Sequence, residues 1–178
     1  MATSSALLLF CNLAFVVLLA SIAAQSPRIA AADSGLVDKV CKQTPDYKFC
    51  SDALNSDPRT PGADQITLAR VAFSLANSKA SSTQGEITSL LSNSTGPVHQ
   101  HLEQCQGDYA TAVAKIQEAL TNLDSETYAG LDVLATKAGD AADDCESAFK
   151  GTESPLTESN KVLKGLSEIC VAVAHLFS

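Results

Sequence analysis

Val98-His-Gln-His-Leu-Glu-Gln-Cys-Gln-Gly-Asp-Tyr-Ala-Thr-Ala-Val-Ala-Lys-Ile-Gln-Glu-Ala-Leu-Thr-Asn-Leu123 is the stretch on which the fold turns. Val98, Leu102, Cys105, Tyr109, Ala112, Val113, Ile116, Ala119, Leu120 and Leu123 recur three and four residues apart, the period of a helix with one buried stripe. Its 26 residues would span about 39 Å at a rise of about 1.5 Å per residue. A helix of that length fits a small protein only when neighbours of similar length run alongside it. The stretch therefore predicts a helical bundle.

Working outward, three more segments have matching length. Asp64 can cap a helix reaching about Ser92, with Ile66, Phe73, Ala76, Ala80, Ile87 and Leu91 along one side. Ser81-Ser82-Thr83 and Gly85 weaken its middle, where a bend or fraying is expected. Ser125 can cap the third helix: Ser125-Glu126-Thr127 gives an acidic first turn suited to the helix dipole, and Tyr128, Leu131, Leu134, Ala138, Ala141, Cys145 and Phe149 face inward. Its Ala-rich interior lets neighbours approach closely. The last helix follows Pro155, with Val162, Leu166, Ile169, Cys170, Val173, Leu176 and Phe177 inward to the C-terminus. No segment after residue 32 alternates apolar and polar residues as a half-buried strand would. The breaks at Asn93 to Pro97, near Asp124 and at Lys150 to Pro155 are short, so neighbours run antiparallel. The predicted class is all-α: an up-down-up-down four-helix bundle over residues 64–177, within one domain over residues 33–178.

Upstream, Cys41-Lys-Gln-Thr-Pro-Asp-Tyr-Lys-Phe-Cys50 places two cysteines around the helix breaker Pro45. This suits a disulfide-stapled helical hairpin over residues 33–57, joined to the bundle by a linker from Asn55 to Gly62 that holds Pro58 and Pro61. Cys41, Cys50, Cys105, Cys145 and Cys170 allow two bridges with one thiol over, and fifteen such arrangements. Local geometry favours Cys41 with Cys50. Cys105 lies 19 residues before Asp124 and Cys145 lies 21 after it, so an antiparallel pair turning there would bring the two level. Closing the first loop is worth about 2.7 kcal/mol on the chain-entropy model, and a Cys105 to Cys145 bridge about 4 kcal/mol. Cys170, within the apolar Ile169 to Ala174, is read as a buried free thiol.

The uncharged apolar run from Ala6 to Ala24 suits a signal peptide or a short membrane span. Small residues at Ala30-Ala31-Ala32 favour a signal peptide over residues 1–32, with Ala24 as a second cleavage position. Cleavage after Ala32 would leave 11 Lys and Arg against 20 Asp and Glu, a net charge of −9. That acidity speaks against nucleic acid or an anionic membrane as partner, and for a basic protein surface. Asn93-Ser94-Thr95 is an N-glycosylation acceptor in a polar stretch, in keeping with secretion.

No catalytic residues are recognisable in the sequence, which points away from an enzyme. His101 and Cys105 could share a metal, but no further cluster completes a site, and neither a metal nor a cofactor is expected. Asp140, Asp143, Asp144 and Glu146 read as a solvated helix face rather than an acid/base pair or calcium loop. Nucleophile-elbow, Walker, dinucleotide and His-Glu-x-x-His motifs are absent. Tyr47, Phe49, Phe73, Tyr109, Phe149 and Phe177 read as core, while Tyr128, beside the Asp124 turn, is either a cap on the core or an interface anchor.

Taken together, Cys41 to Cys50, Ser56-Asp57-Pro58-Arg59, Cys105-Gln-Gly-Asp-Tyr109, Asp144-Cys145-Glu146 before Phe149 and Ser154-Pro155-Leu156 resemble the plant invertase and pectin methylesterase inhibitor family. The resemblance implies bridges Cys41 to Cys50 and Cys105 to Cys145. It also implies a secreted protein that stoichiometrically inhibits a carbohydrate enzyme of the cell wall or vacuole, either acid invertase or pectin methylesterase; a monomer is expected. Invertase inhibitors share Cys-Lys-x-Thr-Pro-x-Tyr and insert Pro-Lys-Phe from the turn between the second and third bundle helices. Here that turn reads Leu123-Asp124-Ser125-Glu126-Thr127-Tyr128, without Pro-Lys-Phe, and Asp124 to Tyr128 are the expected contact residues. Pectin methylesterase inhibitors share the context of Leu166-Ser-Glu-Ile-Cys170 and bind through exposed bundle faces. The longer hairpin match favours invertase. A secreted lipid or small-molecule carrier is the competing class, but it would want a cavity lined by large apolar residues, and this chain is Ala-rich without Trp.

Overall fold

Two aspartates fix where the chain enters its helices. Asp46 accepts from the Phe49 amide at 2.9 Å, and Asp64 accepts from the Thr67 amide at 2.8 Å, each satisfying a donor that the first helical turn leaves free. The computed structural model describes residues 34–178, so the signal peptide expected over residues 1–32 lies outside the described residues. Within them are α1 (Ser34–Cys41), α2 (Tyr47–Asn55), α3 (Gln65–Leu91), α4 (Gly96–Asp124), α5 (Leu131–Ala148), α6 (Thr157–Ala174) and a closing 3-10 turn, His175–Phe177. Each of α3 to α6 packs against the next in sequence and α3 also packs against α6, which closes a four-membered, up-down-up-down ring. The described residues contain helices and no strand.

The ring encloses Leu68, Phe73, Ile87, Leu102, Tyr109, Ile116, Leu123, Leu131 and Leu163, all buried. Each such side chain contributes about 1.5–3 kcal/mol when fully removed from water, before conformational entropy is set against it. The second bundle helix therefore fills the role that its stripe predicts. Val98 is the exception, exposed in the first turn of α4 at the end of the bundle.

Three local expectations are corrected. First, α3 runs unbroken through residues 81–85. The hydroxyls of Ser82 and Thr83 both donate to the Lys79 carbonyl, at 2.9 and 3.0 Å, so they bond within the helix instead of competing with it. Second, Ser125 ends α4 rather than starting α5: its amide and hydroxyl both donate to the Thr121 carbonyl, at 3.0 and 2.9 Å. The chain then passes through left-handed conformations at Glu126 (φ 55°) and Gly130 (φ 81°) before α5 begins at Leu131. Third, Tyr47 is exposed, not core, and its hydroxyl donates to Asp38 of α1 at 3.2 Å.

The Cys41–Cys50 bridge joins α1 to α2 across a Cα separation of 5.4 Å, and Cys105–Cys145 joins α4 to α5 across 4.5 Å at the end remote from the Asp124 turn. Cys170 is free and buried, and its apolar surroundings hold the thiol well above its ordinary pKa. The hairpin lies on α6, where the Phe49 ring covers Gly165 so closely that a β-carbon there would come within 2.7 Å of Phe49 Cε1. Beyond the hairpin, Arg59 grips the Asp57 carboxylate through Nε and Nη2 at 2.9 and 2.7 Å. That grip pulls Asp57 down to about 2.

Candidate functional site

The turn between α4 and α5 gathers all five expected contact residues, but not as a projecting finger. Asp124 pairs with Arg70 of α3 at 3.1 Å, and the Thr127 amide donates to the Asn122 carbonyl at 2.8 Å, closing the turn on the helix that precedes it. Asp124, Ser125, Glu126 and Thr127 are exposed. Tyr128 is half-buried and stacks on Phe177 of the closing 3-10 turn, with centroids 4.4 Å apart and planes inclined by 14°. Its ring is therefore spent on the molecule itself. What the turn offers outward is a short polar rim carrying Asp124 and Glu126.

A second surface lies between the hairpin and the bundle: a groove of about 510 Å³ edged by Asp46, Asp143, Glu146, Glu158 and Glu168, with Lys161 and Lys164 among them and Phe49 at its floor. Lys164 reaches Asp143 at 2.7 Å, and that carboxylate holds the ammonium pKa above its ordinary value. Asp140, Asp143 and Asp144 are exposed, as a solvated helix face should be, whereas Glu146 is half-buried.

Glu146 belongs to a hydrogen-bonded chain that the sequence reading missed. The Tyr109 hydroxyl donates to Asn160 Oδ1 at 2.8 Å, Asn160 Nδ2 donates to Glu146 Oε2 at 2.7 Å, and the Thr157 hydroxyl donates to Glu146 Oε1 at 2.7 Å. Burial raises the phenol pKa far above its usual value, so Tyr109 stays a donor. Beside it, the Ser159 hydroxyl donates to Glu86 Oε2 at 2.9 Å and Lys79 donates to Ser159 at 3.1 Å. These groups come from α3, α4, α5 and α6. The available signal was positional: Asn160 lies three residues before Leu163 and six before Leu166, on a stripe where an apolar residue is expected.

Other candidate groups resolve locally. His101 packs on Phe149 with ring centroids 5.2 Å apart, His99 Nδ1 lies 3.1 Å from the Ser94 hydroxyl, and Cys105 is in its bridge. Among the described residues no group of three or more His, Cys, Asp or Glu could hold a metal ion. Asp108 has one carboxylate oxygen buried without a hydrogen bond, and burial, helped by the charge of Asp144, raises its pKa. Asn93 is exposed in the α3–α4 turn, at the far end of α4 from Asp124.

A stapled hairpin on a closed bundle, with a core of its own apolar side chains, defines an all-helical module. The profile of the plant invertase/pectin methylesterase inhibitor family matches residues 35–173, and the chain belongs to that family. It is 31% identical over 163 residues to a pectinesterase inhibitor of Actinidia deliciosa, covering 91% of this chain and 88% of that one. It is 33% identical over 148 residues to the cell wall / vacuolar inhibitor of fructosidase 2 of Arabidopsis thaliana, covering 79% and 81%. A crystal structure of a mutant form of a pectin methylesterase inhibitor from Arabidopsis superposes with a TM-score of 0.72 at 22% identity, over 79% of this chain and 95% of the other, and shares the fold. The family consists of inhibitors of enzymes, and this chain is one of them rather than an enzyme.

Proposed function

We propose that the protein inhibits pectin methylesterase stoichiometrically, by laying a preformed bundle face across the enzyme's substrate cleft. The observation that carries this reading is the Tyr128–Phe177 stack. A turn whose aromatic ring is folded back, and whose sequence lacks Pro-Lys-Phe, suits face-on docking better than insertion into a catalytic pocket. The exposed carboxylates of α5 and of the turn, Asp124 and Glu126 included, would steer a basic enzyme surface. The protein would act as a monomer, in the cell wall or vacuole.

Acid invertase is the second reading, supported by the Cys-Lys-Gln-Thr-Pro-Asp-Tyr hairpin and by the 33% identity to a fructosidase inhibitor. Titration of the oxidised protein against a purified plant pectin methylesterase, and separately against an acid invertase, tests both. The expected result is loss of pectin methylesterase activity with an equivalence point of one inhibitor per enzyme and invertase untouched. Inhibition of invertase alone would reverse the target, and inhibition of neither would reject both.

A further inference from the structure

We propose that Asn93 carries an N-linked glycan whose first sugar covers the apolar groove beside it. Asn93-Ser94-Thr95 has the acceptor pattern, and the fold leaves it presentable: Asn93 and Thr95 are both exposed. Thr95 is the residue before α4, yet its hydroxyl makes no capping hydrogen bond. Asn93 Nδ2 donates to the Ser89 carbonyl at 3.0 Å. A glycosylated amide keeps one N–H, so this bond and the sugar linkage are compatible.

The transfer joins Nδ2 to the anomeric carbon of the first sugar of a lipid-pyrophosphate-linked oligosaccharide. The bond from that carbon to the pyrophosphate oxygen breaks, the lipid pyrophosphate leaves with the electron pair, and Nδ2 gives up one proton to the transferase. The donor comes from the secretory pathway, and the product is a secondary amide on the α3–α4 turn.

The second observation is the surface next to the acceptor. A groove of about 390 Å³ opens between the α3–α4 and α5–α6 turns, lined by Leu90, Val98, Leu102 and Pro155, and Asn93 is itself part of its wall. Val98 is 39% exposed there, one of the few large apolar side chains so exposed among the described residues. A sugar tethered at Nδ2 starts at the mouth of this groove, where its N-acetyl methyl and pyranose face can take Leu90, Val98 and Pro155 out of water. The opposite end of the molecule, with residues 124–128, stays clear.

The full chain, secreted from plant cells, is analysed by intact mass together with Thr95→Ser and Thr95→Ala. Wild type and Thr95→Ser are expected to carry oligosaccharide mass, and Thr95→Ala to have the bare polypeptide mass. An endoglycosidase that leaves a single N-acetylglucosamine on Asn93 then gives a trimmed protein, to be compared with unglycosylated wild type of the same span made in bacteria and oxidised. The trimmed protein should melt about 2–4 °C higher, the shift that about 1 kcal/mol produces in a domain of this size. Secreted wild type at the bare polypeptide mass would overturn the proposal, and equal melting of the two unmutated forms would overturn the seating of the sugar.

Discussion

At the scale of single residues, two carboxylates respond to pH in opposite directions. Asp57, held down to about 2 by Arg59, adds stability above the ordinary carboxylate range and loses it as pH falls towards 2, so its clasp persists at mildly acidic pH. Asp108 has its pKa raised, so the folded protein binds that proton more tightly than the unfolded chain does. Its ionisation therefore weakens the fold as pH rises from the ordinary value of 3.8, and the penalty remains at neutrality. Asp108→Asn is expected to raise the melting temperature at pH 7 and to leave it nearly unchanged at pH 3. An equal gain at both values would show that the buried charge is not the cause. At Tyr128, replacement by Phe keeps the stack on Phe177, whereas Ala removes it. Denaturant titration should find Tyr128→Ala weaker by about 1–2 kcal/mol and Tyr128→Phe close to wild type.

Among the elements, the hairpin depends on one close approach. Ala at Gly165 would favour α6 by about 1 kcal/mol in intrinsic propensity, but its β-carbon would press on the Phe49 ring. The expected outcome for Gly165→Ala is unchanged helix content by circular dichroism with faster proteolysis and amide exchange confined to residues 34–55. Protection equal to wild type would mean that the ring moves aside freely. This scale also shows what the sequence could tell. The stripes of α3, α4 and α6 and the Asp64 cap are written in residue spacing, and spacing is legible. The start of α5 is not, because Ser125 is as good a terminator for the preceding helix as an opener for the next. That choice was made by the Thr121 carbonyl and by Gly130 in a left-handed conformation, neither visible as periodicity. The same limit applied to the candidate site: Asp124 to Tyr128 could be placed in one turn with Tyr128 on the inward stripe, but the choice between core cap and interface anchor turned on Phe177, which is 49 residues further on.

For the whole molecule, the buried Cys105–Cys145 bridge is the longer-range of the two covalent constraints, closing a sequence separation of 40 residues against 9 for Cys41–Cys50. Replacing both cysteines by Ala is expected to lower stability by about 2–4 kcal/mol, measured by denaturant unfolding against wild type under oxidising conditions. Wild type in reductant, where Cys41–Cys50 opens as well, should fall further, and a loss of well under 1 kcal/mol in the double variant would indicate that the helix interface alone holds the pair. The chain of Tyr109, Asn160, Glu146 and Thr157 has a different consequence for the assembled bundle. Helices lined largely with Ala and Leu can slide past one another by a turn with little change in apolar burial. These four side chains meet their partners at one setting only, and a slip of one turn would strand a buried phenol and a buried amide at 1–3 kcal/mol each. The network thus works like the pins of a lock, fixing which outward residues stand level across neighbouring helices, so that the outer face presents a pattern with a single spacing.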